Sequence, residues 1–215
     1  LARLFEDGEQ RITALLSSAE QQLYSRFSYP KRRLEWLGGR LAAKDALRNL
    51  VDNGPRLSCR DLSILPDSHG RPMVSSAVPL PWNPGLSLSH SRDYAVALAC
   101  REELCGVDIQ ECSGRLLTVR ERFATETELA LFVETMPELF RLAILWTAKE
   151  AVKKCCFADQ PTFFGRMSVC GIRTRQPDQW QVDCRLEQVD RGRAVVQVAH
   201  FDQYFLAWVT GGADA

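Results

Sequence analysis

A weak internal repeat is the feature that most constrains the fold of this chain. The stretch AAKDAL at 42–47 resembles TAKEAV at 147–152, and SHSRDYAVA at 89–97 resembles AHFDQYFLA at 199–207. The members of the two pairs are 105 and 110 residues apart, so the spacing is nearly constant. Either match alone is uninformative, but two matches in the same order predict two similar halves that join near residues 101–105.

Hydrophobic periodicity predicts helices in both halves. The dipeptide Gly38-Gly39 lies inside one of them and lowers its helix propensity, which we interpret as a sign of close packing or of a ligand. Another helix has Thr125 or Thr127 as a candidate N-cap, and Pro137 opens the last one. The predicted helices cover residues 12–29, 31–51, 125–136 and 137 to about 156.

Short alternating segments between turn residues predict antiparallel strands. They occur within 86–100 and 104–112, and as MSVCGIRTR, WQVDCRLEQ, AVVQVAHF and YFLAWVT near the end of the chain. Together with the helices and the repeat, they predict an α+β fold of two similar halves. We place the N-terminal half at 1–103 and the C-terminal half at 104–215.

Charge and hydropathy exclude several classes of protein. Lys+Arg and Asp+Glu both number 27, so the net charge of zero argues against a protein that coats nucleic acid. No apolar run approaches the ~18 residues that a membrane-spanning helix needs. The first residues, LARLFEDGEQ, do not have the pattern of a secretory signal. We therefore expect neither a nucleic-acid partner nor a membrane.

The eight cysteines indicate a reducing compartment. None forms a CxxC pair, and most lie in apolar stretches such as VALAC and KKCCF. This pattern favours buried, reduced thiols over disulfides or a zinc site. We therefore expect a cytoplasmic protein.

Two acidic residues far apart in the sequence form a candidate metal site. In the predicted strand CGVDIQ, Asp108 and Gln110 share one face, and Gly106 allows another group to approach the backbone. Glu150 lies on an otherwise apolar stripe of its helix. Two carboxylates suit Mg²⁺, which completes its coordination with water and phosphate oxygens. The alternatives are a water-facing strand and a surface salt bridge between Glu150 and Lys154.

Three short segments contain candidate groups for binding phosphate. Ser89 and His90 lie at a strand end, Arg71 lies on the turn GRP, and Lys31 belongs to the basic cluster PKRR at a helix start. Taken one at a time, each has an ordinary structural explanation as a solvated charge or a strand-end histidine.

The order of these segments resembles that of the Sfp-type 4′-phosphopantetheinyl transferases. The resemblance covers roughly residues 30 to 210, and its most specific part is GVD combined with W-x-x-K-E-A-x-x-K. It is carried by KRRLEWLGGRLAAK, GRP, LSHS, GVDIQ, RFATETE and WTAKEAVKK.

The resemblance implies both an architecture and a reaction. Such enzymes are pseudo-dimers with the active site in the cleft between two α+β halves. They transfer the phosphopantetheine arm of coenzyme A to a serine of an apo acyl or peptidyl carrier protein, with Mg²⁺, and release 3′,5′-ADP. We expect a monomer, since a pseudo-dimer supplies both halves in one chain. The sequence does not indicate which carrier protein is served.

The resemblance also implies roles for individual residues. Asp108 and Glu150 would ligate Mg²⁺, and Glu128 would be the general base, unless it only places an acid in the first turn of its helix. Lys154 would contact the phosphates and stabilise the leaving group, with Lys149 as the neighbouring lysine. The residues expected to hold the nucleotide of coenzyme A are Lys31, Lys44, Arg71, Ser89 and His90.

The chain departs from the family pattern at two positions. Gln110 stands where many relatives have Glu, which predicts a weaker third metal ligand or a water in its place. Lys44 stands where some relatives have Arg, so a forked contact with phosphate is lost there. Two other functions remain open on sequence grounds: a non-catalytic coenzyme A-binding protein, and a metal-dependent hydrolase of nucleotide pyrophosphates.

Overall fold

The computed structural model describes residues 8–51, 57–101, 104–157, 164–187 and 192–211. The chain divides into two compact units, Leu1–Leu104 and Cys105–Ala215, which we call unit 1 and unit 2. Each unit contains one long helix followed by antiparallel strands.

The described part of unit 1 contains three helices and two antiparallel hairpins. The hairpins are β1–β2 and β3–β4, each with continuous antiparallel register. The elements are α1 Glu9–Thr13, α2 Ser18–Tyr24, α3 Pro30–Leu50, a 3-10 turn at Cys59–Asp61, β1 Leu62–Pro66, β2 Pro72–Ser76, β3 Gly85–Ser91 and β4 Tyr94–Cys100.

The long helix of unit 1 confirms the prediction over 31–51, whereas the predicted helix over 12–29 is divided in two. Ser17 interrupts it because its hydroxyl caps α2, and Glu20 returns a hydrogen bond to the Ser17 N–H. Of the two explanations for Gly38-Gly39, close packing is wrong at Gly39, because a Cβ there would meet nothing nearer than Leu88 Cδ1 at 4.0 Å, and a ligand stays a prediction. At Gly39 the helix therefore does not need a glycine for close packing.

Unit 2 is a five-stranded antiparallel sheet with a long helix packed on it. The strand order is β5-β9-β8-β7-β6, so β5 is an outer strand. The elements are β5 Cys105–Glu111, α4 Arg115–Thr118, 3-10 turns at Arg120–Arg122 and Phe164–Arg166, α5 Glu126–Leu129, α6 Glu138–Cys156, β6 Met167–Gln176, β7 Gln179–Leu186, β8 Arg193–Phe201 and β9 Tyr204–Thr210.

The helix that follows Pro137 is confirmed as α6, and its apolar face fills the core of unit 2. Leu142, Ile144 and Leu145 are fully buried against the strands. The predicted helix over 125–136 is a single turn, α5, that Thr125 caps. The four predicted C-terminal strands are confirmed as β6 to β9.

The cysteines follow the prediction only in part. All eight are free thiols, and Cys100, Cys105, Cys155 and Cys184 are buried. Cys170 is exposed, because it lies on the open face of β6. Within the described ranges, no helix is both long and apolar enough to cross a membrane.

Candidate active site

A glycine brings the outer strand of unit 2 into direct contact with its long helix. A Cβ on Gly106 in β5 would lie 1.9 Å from the carbonyl oxygen of Ala151 in α6 and 3.0 Å from the Cys155 N–H nitrogen. No other residue type fits this position without moving the helix. The strand that carries Asp108 is therefore held against the helix that carries Glu150.

Asp108 is a buried carboxylate that a lysine of α6 holds in place. Its residue is 6% exposed, and its Oδ1 accepts a hydrogen bond of 2.8 Å from Lys154 Nζ. The same ammonium donates to the Val107 carbonyl at 2.9 Å. The alternative of a salt bridge between Glu150 and Lys154 is wrong: Lys154 turns to the strand, and the Glu150 carboxylate lies 3.6 Å from Lys153 Nζ.

Glu150 is electrostatically coupled to Asp108. Burial raises the pKa of the Glu150 carboxyl, the charge of Lys153 opposes this, and the negative charge of Asp108 raises the pKa further. A cation close to both carboxylates would offset this unfavourable effect of the Asp108 charge on Glu150. Sequence reasoning brought these two residues together, and the structure places them on contacting elements.

The donor set fits Mg²⁺ better than a metal that takes three or four protein ligands. No group of three or more His, Cys, Asp and Glu side chains suited to a metal occurs in the part of the chain that the structure describes. Mg²⁺ is commonly held by one or two carboxylates, and water and phosphate oxygens complete its octahedron. Gln110 follows Asp108 on β5 and donates its amide N–H to the Glu111 carbonyl at 3.0 Å. Its amide oxygen is a neutral donor, weaker for Mg²⁺ than a carboxylate.

Glu128 does not have the surroundings of a general base. It is 3% exposed, and Lys149 Nζ lies 2.7 Å from its Oε1. The Val169 N–H donates to Oε1 at 2.8 Å, and the Thr125 N–H donates to Oε2 at 3.0 Å. Both oxygens are thus engaged, and Glu128 joins the start of α5 to α6 and β6. Its role as general base stays a prediction.

The protonation of Glu128 follows from this pairing. Burial alone would raise the pKa of the carboxyl. The hydrogen bonds and charge of Lys149, with the N–H groups of Val169 and Thr125, outweigh burial and hold the pKa below its usual range. A carboxylate that is ionised this firmly is a poor acceptor for the proton of a serine.

The predicted contacts of Lys149 and Lys44 with coenzyme A do not fit their burial. Lys149 is 2% exposed and also donates to the Phe123 carbonyl at 2.5 Å. Lys44 is fully buried and donates to Glu20 at 2.6 Å. Three carbonyl oxygens, of Leu15, Cys59 and Leu62, complete its surroundings. These ammonium groups are already satisfied by protein acceptors and do not face solvent.

The other predicted nucleotide-binding residues lie at separate places in unit 1. Lys31 is largely exposed at the start of α3, with its Nζ 3.9 Å from Glu35. Arg71 lies in the β1–β2 turn, where its N–H donates to Asp67 Oδ1 at 2.9 Å. Ser89 and His90 are neighbours on β3, with Ser89 buried and His90 exposed.

Sequence reasoning missed the two buried lysine–glutamate pairs, although the sequence contains a signal for them. Both glutamates belong to capping boxes of the form S/T-x-x-E, at Ser17 to Glu20 and at Thr125 to Glu128. Each box precedes a long helix that contains an Ala-Lys pair, which belongs to the internal repeat.

Comparison with known proteins defines the class. The family model of the 4′-phosphopantetheinyl transferase superfamily matches residues 104–209. The chain is 35% identical over 106 residues to the holo-[acyl-carrier-protein] synthase of Geobacillus sp. (strain WCH70), which is 48% of this chain and 87% of that protein. It is 38% identical over 94 residues to the enzyme of the same name from Exiguobacterium sp. (strain ATCC BAA-1283 / AT1b), which is 43% of this chain and 75% of that protein.

The family match covers the segment that contains Asp108, Glu150 and their lysines. The chain belongs to the 4′-phosphopantetheinyl transferase superfamily. It is therefore an enzyme, a phosphopantetheinyl transferase. The matched family is the one predicted from GVD and W-x-x-K-E-A-x-x-K, at the level of the superfamily.

Proposed function

We propose that this enzyme transfers the 4′-phosphopantetheine arm of coenzyme A to a serine of an apo acyl carrier protein, with Mg²⁺ held by Asp108 and Glu150. The observation that carries the proposal is the coupling of the buried Asp108 to the half-buried Glu150 across the β5–α6 contact. The similarity to holo-[acyl-carrier-protein] synthases supports the choice of acceptor.

The reaction exchanges a phosphoanhydride bond for a phosphoester bond. The serine oxygen bonds to the phosphorus that bears pantetheine, the pyrophosphate bond breaks, 3′,5′-ADP leaves, and the serine proton passes to solvent. When bound, the metal neutralises the charge that develops on the pyrophosphate oxygens and orients them. Asp108 and Glu150 supply its protein ligands, and Gln110 offers an amide oxygen beside them.

Lys154, which contacts Asp108, remains accessible, with 28% of its side chain exposed. In the absence of substrate it holds Asp108 in position. We propose that its ammonium also contacts a coenzyme A phosphate and stabilises the leaving group, because a charge-assisted hydrogen bond to phosphate is stronger than one to a carbonyl. The roles of Lys31, Arg71, Ser89 and His90 in holding the nucleotide are further parts of this proposal.

We also propose that the chain belongs to the Sfp-type branch, which combines two α+β halves. The family match lies in unit 2, and the curated relatives cited above align with less than half of this chain. Unit 1 then corresponds to the additional half. Its capping glutamate and buried lysine, arranged as in unit 2, support a common origin of the two.

One incubation tests the reaction. Coenzyme A, Mg²⁺ and an apo acyl carrier protein are mixed with the enzyme, and intact masses are measured. Addition of one phosphopantetheine to the carrier is expected, with none after chelation of Mg²⁺ and none for Glu150→Gln. Free phosphopantetheine with an unmodified carrier would instead indicate a hydrolase, and unchanged masses would indicate a binding protein. An apo peptidyl carrier protein, assayed in parallel, distinguishes the class of acceptor by kcat/KM.

A further inference from the structure

Each carboxylate of the proposed metal site is paired with a lysine of its own. The two lysines, Lys153 and Lys154, are consecutive residues of α6. Lys154 Nζ lies 2.8 Å from Asp108 Oδ1, and Lys153 Nζ lies 3.6 Å from Glu150 Oε1. The charges of these four side chains cancel, so the set is neutral in the metal-free protein.

The two lysines differ in how firmly they are placed. Lys154 donates to two acceptors of β5, Asp108 Oδ1 and the Val107 carbonyl, which lies 2.9 Å away. Lys153 contacts Glu150 from the next turn of the same helix, and 32% of its side chain is exposed. A partly exposed i,i+3 ion pair of this length is weak. The Glu150–Lys153 pair is therefore the one that can open without disturbing the contact between β5 and α6.

The metal-free protein has a use for this pair. The Glu150 side chain is 17% exposed, and burial raises the pKa of its carboxyl. Among the neighbouring charges, that of Lys153 lowers this pKa most, whereas that of Asp108 raises it. Lys153 thus favours the carboxylate form of Glu150, which is the form that binds Mg²⁺.

The same pair opposes a metal at Glu150. An ammonium 3.6 Å from Oε1 repels a divalent cation that binds this oxygen. If Glu150 binds Mg²⁺ as proposed, Lys153 has to leave the carboxylate. Its long, flexible side chain makes this possible without a change in the helix. The closest new anions are then phosphate oxygens, because these complete the coordination of Mg²⁺.

We propose that Lys153 exchanges partners during substrate binding: it holds Glu150 in the metal-free enzyme and turns to a phosphate of coenzyme A once Glu150 binds Mg²⁺. The inference rests on the proposed function, because it takes Asp108 and Glu150 as the metal ligands. It gives Lys153 a role distinct from that of Lys154, which β5 holds in place. It also predicts that Mg²⁺ and coenzyme A strengthen each other's binding, since the phosphate offers Lys153 its second partner.

The first experiment follows the lysines of the wild-type protein by NMR. The chain has five lysines, so lysine labelled with ¹³C at Cε gives five signals, and the signal absent from Lys153→Arg belongs to Lys153. The buried Lys149, which Glu128 holds, is the internal reference. Addition of Mg²⁺ and then of coenzyme A should shift the Lys153 signal more than that of Lys149 at both steps. A Lys153 signal that shifts no more than the reference at either step would overturn the proposal.

The second experiment measures affinities by calorimetry. Lys153→Met removes the repelling charge, so it should bind Mg²⁺ alone about threefold more tightly and, at saturating Mg²⁺, coenzyme A about threefold more weakly. Lys153→Arg keeps the charge and should stay close to wild type in both affinities. Arg185→Gln, which removes an exposed cation of β7, is the matched control and should do the same. Unchanged affinities in Lys153→Met, or changes of the same sign, would overturn the proposal.

Glu150→Gln separates this inference from the proposed function. If the wild-type protein binds Mg²⁺ and Glu150→Gln does not, the metal site stands, and the Lys153 variants alone decide the inference. If both proteins bind Mg²⁺ equally, Glu150 is not a metal ligand, and the proposed function fails together with the inference. Circular dichroism verifies the fold of each variant.

Discussion

The two units share a buried lysine–glutamate pair but differ at the residue that follows the lysine. In both, a capping-box glutamate binds a lysine in the middle of the long helix and a backbone N–H of the strand that follows. The strand N–H belongs to Ile64 in unit 1 and to Val169 in unit 2. The next helix residue is an exposed Asp45 in unit 1, but in unit 2 it is Glu150, partly buried and coupled to Asp108.

This difference separates structural residues from the residues that we propose to be catalytic. The lysine–glutamate pair occurs in the unit that lacks the paired carboxylates as well as in the unit that has them. The lysine–glutamate pair therefore serves to fix a helix to a strand. The proposed transfer reaction requires additional residues. Unit 2 supplies these with β5, an outer strand whose glycine lets it contact α6.

The largest effect is expected for Glu150→Gln. Loss of one of two metal carboxylates should reduce kcat/KM for carrier modification on the order of 10³-fold, since a catalytic metal supplies several kcal/mol of transition-state stabilisation. Asp45→Asn, at the corresponding position of unit 1, should leave the rate within about twofold of wild type. A similar loss in both variants would show that the two units do not differ in the way described.

Glu128→Gln should act on stability. It leaves the Lys149 ammonium buried without its carboxylate, which costs about 3–5 kcal/mol of unfolding free energy. Urea denaturation followed by circular dichroism measures this loss, and Glu20→Gln should show a loss of similar size. If Glu128→Gln kept full stability and lost only kcat, Glu128 would have the role of general base.

The same carboxylate predicts a dependence on pH. The pKa of Glu128 is lower in the folded protein than in the unfolded chain. The stabilisation is therefore complete above the unfolded value of about 4.3 and is lost as the pH falls through the folded value. Urea midpoints between about pH 6 and pH 3 should fall less steeply for Glu128→Gln than for wild type. Parallel curves would contradict the depressed pKa.

A pair of glycine substitutions tests the strand–helix contact. Gly106→Ala forces Cβ against the Ala151 carbonyl and should cost about 1–3 kcal/mol of stability and weaken Mg²⁺ binding measured by calorimetry. Gly39→Ala in unit 1 has room and should stabilise its helix by about 0.5–1 kcal/mol. Equal Mg²⁺ affinity in Gly106→Ala and wild type would show that the contact does not position the metal ligands.

The smallest effect is expected for Gln110→Glu. A third carboxylate should lower the Mg²⁺ concentration for half-maximal activity by a few-fold, because oxygen ligands with charge bind Mg²⁺ more tightly than neutral ones. A Mg²⁺ titration of both proteins measures this change. Identical half-saturation would mean that position 110 does not contact the metal.

The sequence predicted most elements, and it singled out Asp108 and Glu150, because both inferences depend on local patterns. Helical spacing located α3 and α6, and the stripe containing Glu150 indicated a carboxylate on an apolar helix. The roles of Glu128 and Lys44 were not predictable in this way, since whether a charged side chain is buried depends on partners distant in the chain. Ser17 divided a predicted helix because capping overrode periodicity.

The two buried lysines also make it possible to measure the local opening of each unit by chemical modification. An amine-acylating reagent reaches Lys31 in the native state, whereas Lys44 and Lys149 are shielded by their own carboxylates and carbonyls. Each becomes reactive only when the helix that holds it separates from its strand. Peptide mapping after acylation would thus measure the opening of unit 1 at Lys44 and of unit 2 at Lys149 separately. The protein needs no engineered label.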